Sequence, residues 1–89
     1  MPKDMYIKEQ TAVCIGKNSQ LYVQIGCSAC KIQEGIFGEN YKSLTVIDCY
    51  YEREQCIEKK IAVTPTWIIN GKQYTGVRSV EELKNLTNC

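Results

Sequence analysis

Six cysteines lie within a chain of only 89 residues, and this density constrains the possible folds more than any other feature. A chain this short buries a small core, so cross-links or a bound metal ion would contribute much of its stability. In an oxidising compartment the cysteines would form a disulfide framework, whereas in a reducing one metal or redox chemistry is expected. The six are Cys14, Cys27, Cys30, Cys49, Cys56 and Cys89.

The composition excludes several classes of function. The chain has 11 basic and 10 acidic side chains and a net charge of +1, which gives no electrostatic basis for binding nucleic acid or an anionic membrane. It has no histidine, so imidazole bases, Cys-His or Ser-His catalysis and histidine-containing metal sites are excluded. The fractions of hydrophobic and charged residues, 44% and 24%, are those of a globular domain.

The sequence leaves the cellular compartment open. No apolar run approaches the roughly 20 residues that span a bilayer, so direct membrane insertion is not expected. The first ten residues, MPKDMYIKEQ, are too polar for a signal peptide. The cytoplasm is one expectation, and an oxidising compartment is the other if the sequence is an excised domain.

Hydrophobic patterning predicts an α/β domain. Residues 1–19 form an N-terminal extension, predicted to be a helix with Met5, Tyr6, Val13 and Cys14 on one face and its end near Gly16; a short strand at TAVCI is the alternative. Residues 20–89 form the predicted core of one domain.

Within that core, strands and helices alternate. Strands are predicted at 21–26, 44–50 and 63–70, and helices at 28–37 and 52–62. Asn70-Gly71 predicts a hairpin to a fourth strand. Ser79 begins a capping box, S-V-E-E, that predicts the last helix. The first two strands should pair in parallel across their helix.

The segment G-C-S-A-C-K places two cysteines where the first strand meets a helix. The positive end of a helix dipole lowers the pKa of a thiol there from about 8.5 to roughly 3.5–7.5, which makes Cys27 the candidate nucleophile. Cys30, one turn later, should be more buried and able to attack a mixed disulfide on Cys27. A structural staple and half a zinc site are the alternatives.

A second signal is T-P-T, residues 64–66, before the third strand. Proline is not expected inside a central strand, so Pro65 should lie at the strand entrance. Both a cis bond and an ordinary trans bond before Pro65 are compatible with that position.

Three segments together resemble a known family: C-S-A-C-K-I-Q-E-G-I-F-G, V-I-D-C-Y and T-P-T-W-I-I-N-G-K-Q-Y-T-G-V-R-S-V-E-E-L. They resemble the thioredoxin superfamily, and within it the thioredoxin-like domain fused to bacterial vitamin K epoxide reductase homologues. The resemblance covers residues 21–86.

The resemblance implies a glutaredoxin-sized thioredoxin fold, a three-layer α/β/α sandwich with a mixed sheet, that exchanges disulfides with protein substrates. Cys27 would attack and Cys30 would resolve. Pro65 would be a cis-proline beside the dithiol, and the backbone of Thr64 would pair with an extended substrate. The implied substrate-binding residues are Gly26, Ser28, Ala29, Thr64 and Pro65. No metal or organic cofactor is expected.

The sequence departs from the family pattern around the dithiol. Gly26 replaces an aromatic residue, and Ser28-Ala29 replaces Pro-His, which removes a positive charge that would stabilise the Cys27 thiolate. This departure argues against a strongly oxidising reduction potential and is compatible with a more reducing, thioredoxin-like one. Electron transport would require a separate membrane-bound or flavin-linked redox partner. No aspartate occurs within Leu21–Val23, where thioredoxins often bury one, so water or a nearby glutamate is the expected proton acceptor for Cys30.

The resemblance also implies a structural disulfide between Cys49 and Cys56, worth roughly 2–3 kcal/mol by loop closure. A redox relay through this pair, two free thiols, or a zinc site shared with Cys27 and Cys30 are the alternatives. Cys89 is expected to be exposed, and three states are left open for it: a bond to Cys14, an intermolecular disulfide or a free thiol. The rival to a monomeric exchange enzyme is a non-enzymatic, cysteine-stapled or zinc-binding interaction module.

Overall fold

The computed structural model describes residues 8–89, which form a four-stranded mixed sheet flanked by helices. The helices are α1 Glu9–Lys17, α2 Ser28–Phe37, α3 Arg53–Glu58 and α4 Val80–Thr87. The strands are β1 Gln20–Val23, β2 Val46–Asp48, β3 Thr66–Ile69 and β4 Lys72–Thr75. The order of elements is the predicted one, and the architecture is that of a small thioredoxin-like α/β fold.

The sheet has the strand order β2-β1-β3-β4. β1 pairs in parallel with β2, with Val23 opposite Asp48, as predicted for a strand-helix-strand unit. β3 runs antiparallel to β1, with Thr66 opposite Tyr22. Because β1 and β3 run in opposite directions, the end of β1 lies beside the start of β3. The segment that enters α2 therefore meets the Thr64-Pro65 segment.

Two turn predictions are confirmed. Asn70 and Gly71 both have positive φ, 52° and 78°, and join β3 to β4 in the hairpin that this dipeptide favours. The Ser79 side chain accepts a hydrogen bond from the Glu82 amide at 3.1 Å, which caps α4.

Several predicted elements are shorter in the structure. The strand predicted at 21–26 ends at Val23, because the chain then turns through Gly26, whose φ is 86°. The strands predicted at 44–50 and 63–70 are also shorter, and the structure gives Val46–Asp48 for β2 and Thr66–Ile69 for β3.

The helix predicted at 52–62 ends at Glu58. Lys60 adopts a left-handed φ of 57°, and the amides of Lys60 and Ile61 bond to the carbonyls of Ile57 and Cys56. This is the Schellman pattern that ends helices, and it is usually marked by glycine. Because lysine occupies this position in place of glycine, no sequence pattern marked the end of the helix.

Helix α1 confirms the helical prediction near the N-terminus, although Met5 and Tyr6 lie outside the described residues. Ala12 and Ile15 are fully buried in the common core. Gly16 packs against the backbone at residues 43–44 so closely that a Cβ atom would contact the Ser43 carbonyl oxygen. A 3-10 helix, Gly38–Ser43, follows α2 and supplies this contact surface.

A buried glutamine fixes α2 to the sheet. Gln33 is fully buried; its Oε1 accepts from the Trp67 indole at 3.0 Å and from the Arg78 amide at 2.8 Å. Its Nε2 donates to the Arg78 carbonyl at 3.0 Å. Since an indole only donates, the amide oxygen must face Trp67, which sets the orientation of the side chain.

Candidate active site

Cys27 occupies the N-cap of α2. Its Sγ accepts a hydrogen bond from the Cys30 amide at 3.1 Å, and its own amide donates to the Gln24 carbonyl at 3.1 Å. The left-handed Gly26 turns the chain into this position. Once the cysteine is reduced, an N-cap sulfur at the positive end of a ten-residue helix is favoured as a thiolate.

The two cysteines of the CxxC segment are joined as a disulfide with a Cα–Cα distance of 5.2 Å. Cys27 is partly exposed, whereas Cys30 is 6% exposed and belongs to the core. An approaching thiol therefore has access to the first sulfur and little access to the second.

The Thr64-Pro65 segment lies against this disulfide. The peptide bond between the two residues is cis, and Pro65 is buried. Cys27 Sγ lies 3.6 Å from the Thr64 carbonyl oxygen. The Pro65 carbonyl accepts from the Gly76 amide at 2.8 Å, and this bond holds the segment at the start of the hairpin. The fold thus brings together residues 37 positions apart.

The remaining residues predicted to bind substrate surround Cys27. Gly26 and Ser28 are exposed, and Ala29 is partly exposed. Nothing in their geometry conflicts with a surface that contacts a substrate, and their role stays a prediction.

Cys49 and Cys56 form a second disulfide, with a Cα–Cα distance of 5.6 Å. The Cys49 amide donates to the Val23 carbonyl at 2.7 Å, which extends the contact between β1 and β2. A cavity of ≈120 Å³ lies against this pair, and Gln24 and Thr64 also line it.

A third disulfide joins Cys14 of α1 to Cys89, with a Cα–Cα distance of 6.0 Å. The Asn18 side-chain amide donates to the Cys14 carbonyl at 2.8 Å beside it. All six cysteines lie in the described part of the chain, and each is paired. Within residues 8–89, no three metal-ligating side chains cluster in one place, and no helix has the length and hydrophobicity of a membrane span.

A cavity of ≈360 Å³ lies beside the dithiol. Lys31, Glu34, Tyr41 and Asp48 line it together with Cys30 and its neighbours. The pKa of Tyr41 is raised above its ordinary value of 10.0, first by burial and then by the charges of Glu34 and Asp48.

Sequence reasoning missed this cavity. The spacing of Glu34 from Cys30, one helical turn, could have indicated one wall. Asp48 could be placed only through the register that sets it opposite Val23.

No protein-family model matches the chain. The chain is similar to the thiol-disulfide oxidoreductase LTO1 of Arabidopsis thaliana, with 32% identity over a 78-residue alignment that covers 78% of this chain and 21% of the relative. The chain thus spans about a fifth of the length of this relative. The similarity supports a relation to thiol oxidoreductases, and the Cys27–Cys30 disulfide fits a redox function.

Proposed function

We propose that this chain is a thiol-disulfide oxidoreductase domain that exchanges disulfides with protein substrates through Cys27 and Cys30. One observation carries the proposal: a partly exposed Cys27 sulfur caps α2, accepts the Cys30 amide, and faces the Thr64 carbonyl at 3.6 Å. A staple needs neither an exposed first sulfur nor a helix end that stabilises its thiolate.

In the reducing direction, the Cys27 thiolate attacks a substrate disulfide. A bond forms between Cys27 Sγ and one substrate sulfur, and the other substrate sulfur leaves as a thiolate with the electron pair of the broken bond. Cys30 then attacks Cys27 Sγ and releases the second substrate thiolate. The two cysteines end as a disulfide, and the substrate gains two electrons. The oxidising direction is the reverse sequence.

A substrate in an extended conformation fits the surface beside Cys27. The Thr64 backbone precedes the buried Pro65 at the start of β3, where an added strand can pair with it. Ile25 and Val63 flank this position and are 58% and 53% exposed, so apolar side chains of a protein substrate have a surface to contact.

The resemblance to the domain fused to vitamin K epoxide reductase homologues bears on the type of redox partner. The residues between the cysteines include no imidazole, so the Cys27 thiolate lacks that stabilising cation. We therefore expect a midpoint reduction potential nearer to that of thioredoxin, about −270 mV, than to that of a strongly oxidising exchange protein, about −120 mV. We propose that a separate redox partner, of the vitamin K epoxide reductase type, exchanges electrons with the Cys27–Cys30 pair.

Substitution of Cys27 tests the function. Cys27→Ser should abolish reduction of insulin disulfides by the protein in the presence of a small dithiol, because Cys30 is buried and no other described sulfur occupies the helix cap. The double variant Cys49→Ser/Cys56→Ser is the matched control, since it removes a disulfide of comparable Cα–Cα distance away from the cap. Full activity in Cys27→Ser would refute the assignment.

Thiol trapping with mass spectrometry across a glutathione redox series separates the enzyme from its rival. We expect Cys27–Cys30 to open within the buffered range while Cys49–Cys56 stays oxidised. If these four thiols resisted trapping until a chelator was added, the metal-bound interaction module would be the correct interpretation.

A further inference from the structure

The exchange reaction requires Cys30 to lose a proton before it attacks Cys27. Cys30 is 6% exposed, so bulk water reaches its thiol poorly. The buried positions of β1 beneath the dithiol, Leu21, Tyr22 and Val23, offer no carboxylate. The cavity of ≈360 Å³ beside Cys30 therefore holds the candidate proton acceptors.

Three elements supply titratable groups to this cavity. Helix α2 contributes Lys31 and Glu34, the 3-10 helix contributes Tyr41, and the end of β2 contributes Asp48. A lysine ammonium group has hydrogen-bond donors and no acceptor, so Lys31 is not a candidate. Tyr41 keeps its own proton there, because burial and the two carboxylates raise its pKa. The choice lies between the two carboxylates.

Asp48 is the less exposed and the more firmly held of the two carboxylates. It ends a sheet strand opposite Val23 and is half-buried, whereas Glu34 lies on the exposed side of α2. Asp48 Oδ1 accepts a hydrogen bond from the Tyr50 amide at 2.8 Å, which fixes the carboxylate and leaves Oδ2 to accept a proton. A general base held in one orientation loses less entropy in use than a mobile one.

We propose that Asp48 is the proton acceptor for Cys30 in the resolving step; the inference rests on the proposed function of the dithiol. The Cys30 thiol proton passes across the cavity to the Asp48 carboxylate. The Cys30 thiolate then attacks Cys27 Sγ, the Cys27–substrate bond breaks, and the substrate leaves as a thiolate. In the reverse direction, the Asp48 carboxylic acid returns the proton to Cys30 as the Cys27–Cys30 bond is opened.

The experiment uses the full chain with the Cys27–Cys30 pair reduced. The probe is dithiobis-nitrobenzoate, an aromatic disulfide whose released thiolate absorbs visible light, mixed by stopped flow across a pH series. The first equivalent of thiolate reports the attack by Cys27, and the second reports the attack by Cys30. Asp48→Asn removes the base but keeps an oxygen for the Tyr50 amide. Glu34→Gln removes the other carboxylate of the cavity, and Asp48→Glu tests rescue.

In Asp48→Asn we expect the second phase to slow roughly tenfold at about pH 6, while the first phase is unchanged. This loss is below the usual range for general base catalysis, because the little water that reaches Cys30 remains a weak alternative acceptor. The difference should shrink as the pH rises, because hydroxide then removes the thiol proton without Asp48. Glu34→Gln should change the second phase less than about twofold, and Asp48→Glu should recover part of the rate.

The opposing outcomes are distinct. If the wild-type protein released no second equivalent, the proposed function itself would fail, and the inference with it. If the second equivalent appeared but Asp48→Asn left its pH profile unchanged, the function would stand and Asp48 would not be the acceptor. Equal slowing of both phases at every pH, or a larger loss in Glu34→Gln, would likewise overturn the assignment.

Discussion

Removing the Cys14–Cys89 disulfide should cost this protein more stability than removing the Cys49–Cys56 disulfide. The first bond joins residues 75 positions apart, and the second joins residues 7 positions apart. Each cross-link limits the conformations of the unfolded chain, and the limit is more severe for the longer loop. The perturbation is a pair of double variants, Cys14→Ala/Cys89→Ala and Cys49→Ala/Cys56→Ala.

The loop-closure estimate gives the magnitudes. For a separation of 75 it yields about 4.5 kcal/mol, and for a separation of 7 about 2.4 kcal/mol. The difference of about 2 kcal/mol corresponds to roughly a 30-fold change in the unfolding equilibrium constant. The packing lost on substitution would favour the opposite order of stability losses, because Cys56 is buried whereas Cys14 and Cys89 are only partly buried. The predicted order of the two stability losses therefore tests whether the entropy of the unfolded chain outweighs packing.

Urea unfolding of the oxidised proteins, followed by circular dichroism, measures both quantities. The Cys14→Ala/Cys89→Ala variant should show the lower midpoint. Its m-value should also rise, because an unfolded chain released from a long loop exposes more surface.

Equal losses in the two double variants, or a larger loss in Cys49→Ala/Cys56→Ala, would refute the reasoning. Such a result would mean that the unfolded chain already keeps its ends close, or that packing around Cys56 outweighs loop closure.

Three further predictions follow from packing and charge. Gly16→Ala should lower the free energy of unfolding by about 2 kcal/mol or more in urea titrations, because its Cβ would meet backbone; Gly35→Ala, on an open face of α2, should instead raise it by up to about 1 kcal/mol. Gln33→Leu should cost about 2–4 kcal/mol by the same measurement, since the Trp67 indole loses its buried acceptor. The pKa of Tyr41 is raised, so at alkaline pH the folded chain keeps a phenol proton that the unfolded chain releases. The stability from this group should be retained below about pH 10 and should fall as the pH rises through the pKa of the folded state. Tyr41→Phe should make the alkaline loss of stability smaller in thermal melts.

The parts of the fold that local chemistry specifies were predictable from the sequence. The bounds of α2 follow from the apolar spacing after Cys27 and from Gly38, and the structure gives Ser28–Phe37. The cap at Ser79 and the turn at Asn70-Gly71 depend on residues that are adjacent in the chain, so tertiary packing did not override them.

The remaining features depend on contacts between distant segments. The end of α3 is set by a left-handed Lys60, a residue with no intrinsic preference for that conformation. The pairing of Cys14 with Cys89 requires α1 to lie beside the residues that follow α4, which no local pattern encodes. Asp48 reaches the cavity beside Cys30 only because the register of β1 and β2 places it there.

The Gln33 side chain has a consequence for the precision of the site. Cys27 and Thr64 belong to separate segments, and under the proposed function their spacing must be restored after every exchange reaction. Gln33 ties the dithiol helix to Trp67, two residues beyond Pro65, and to Arg78 in the last loop. These three hydrogen bonds to two residues restrain α2 from tilting or sliding when the Cys27–Cys30 bond opens. A buried side-chain amide, which a substrate cannot reach, thus limits how far the spacing between Cys27 and Thr64 can vary.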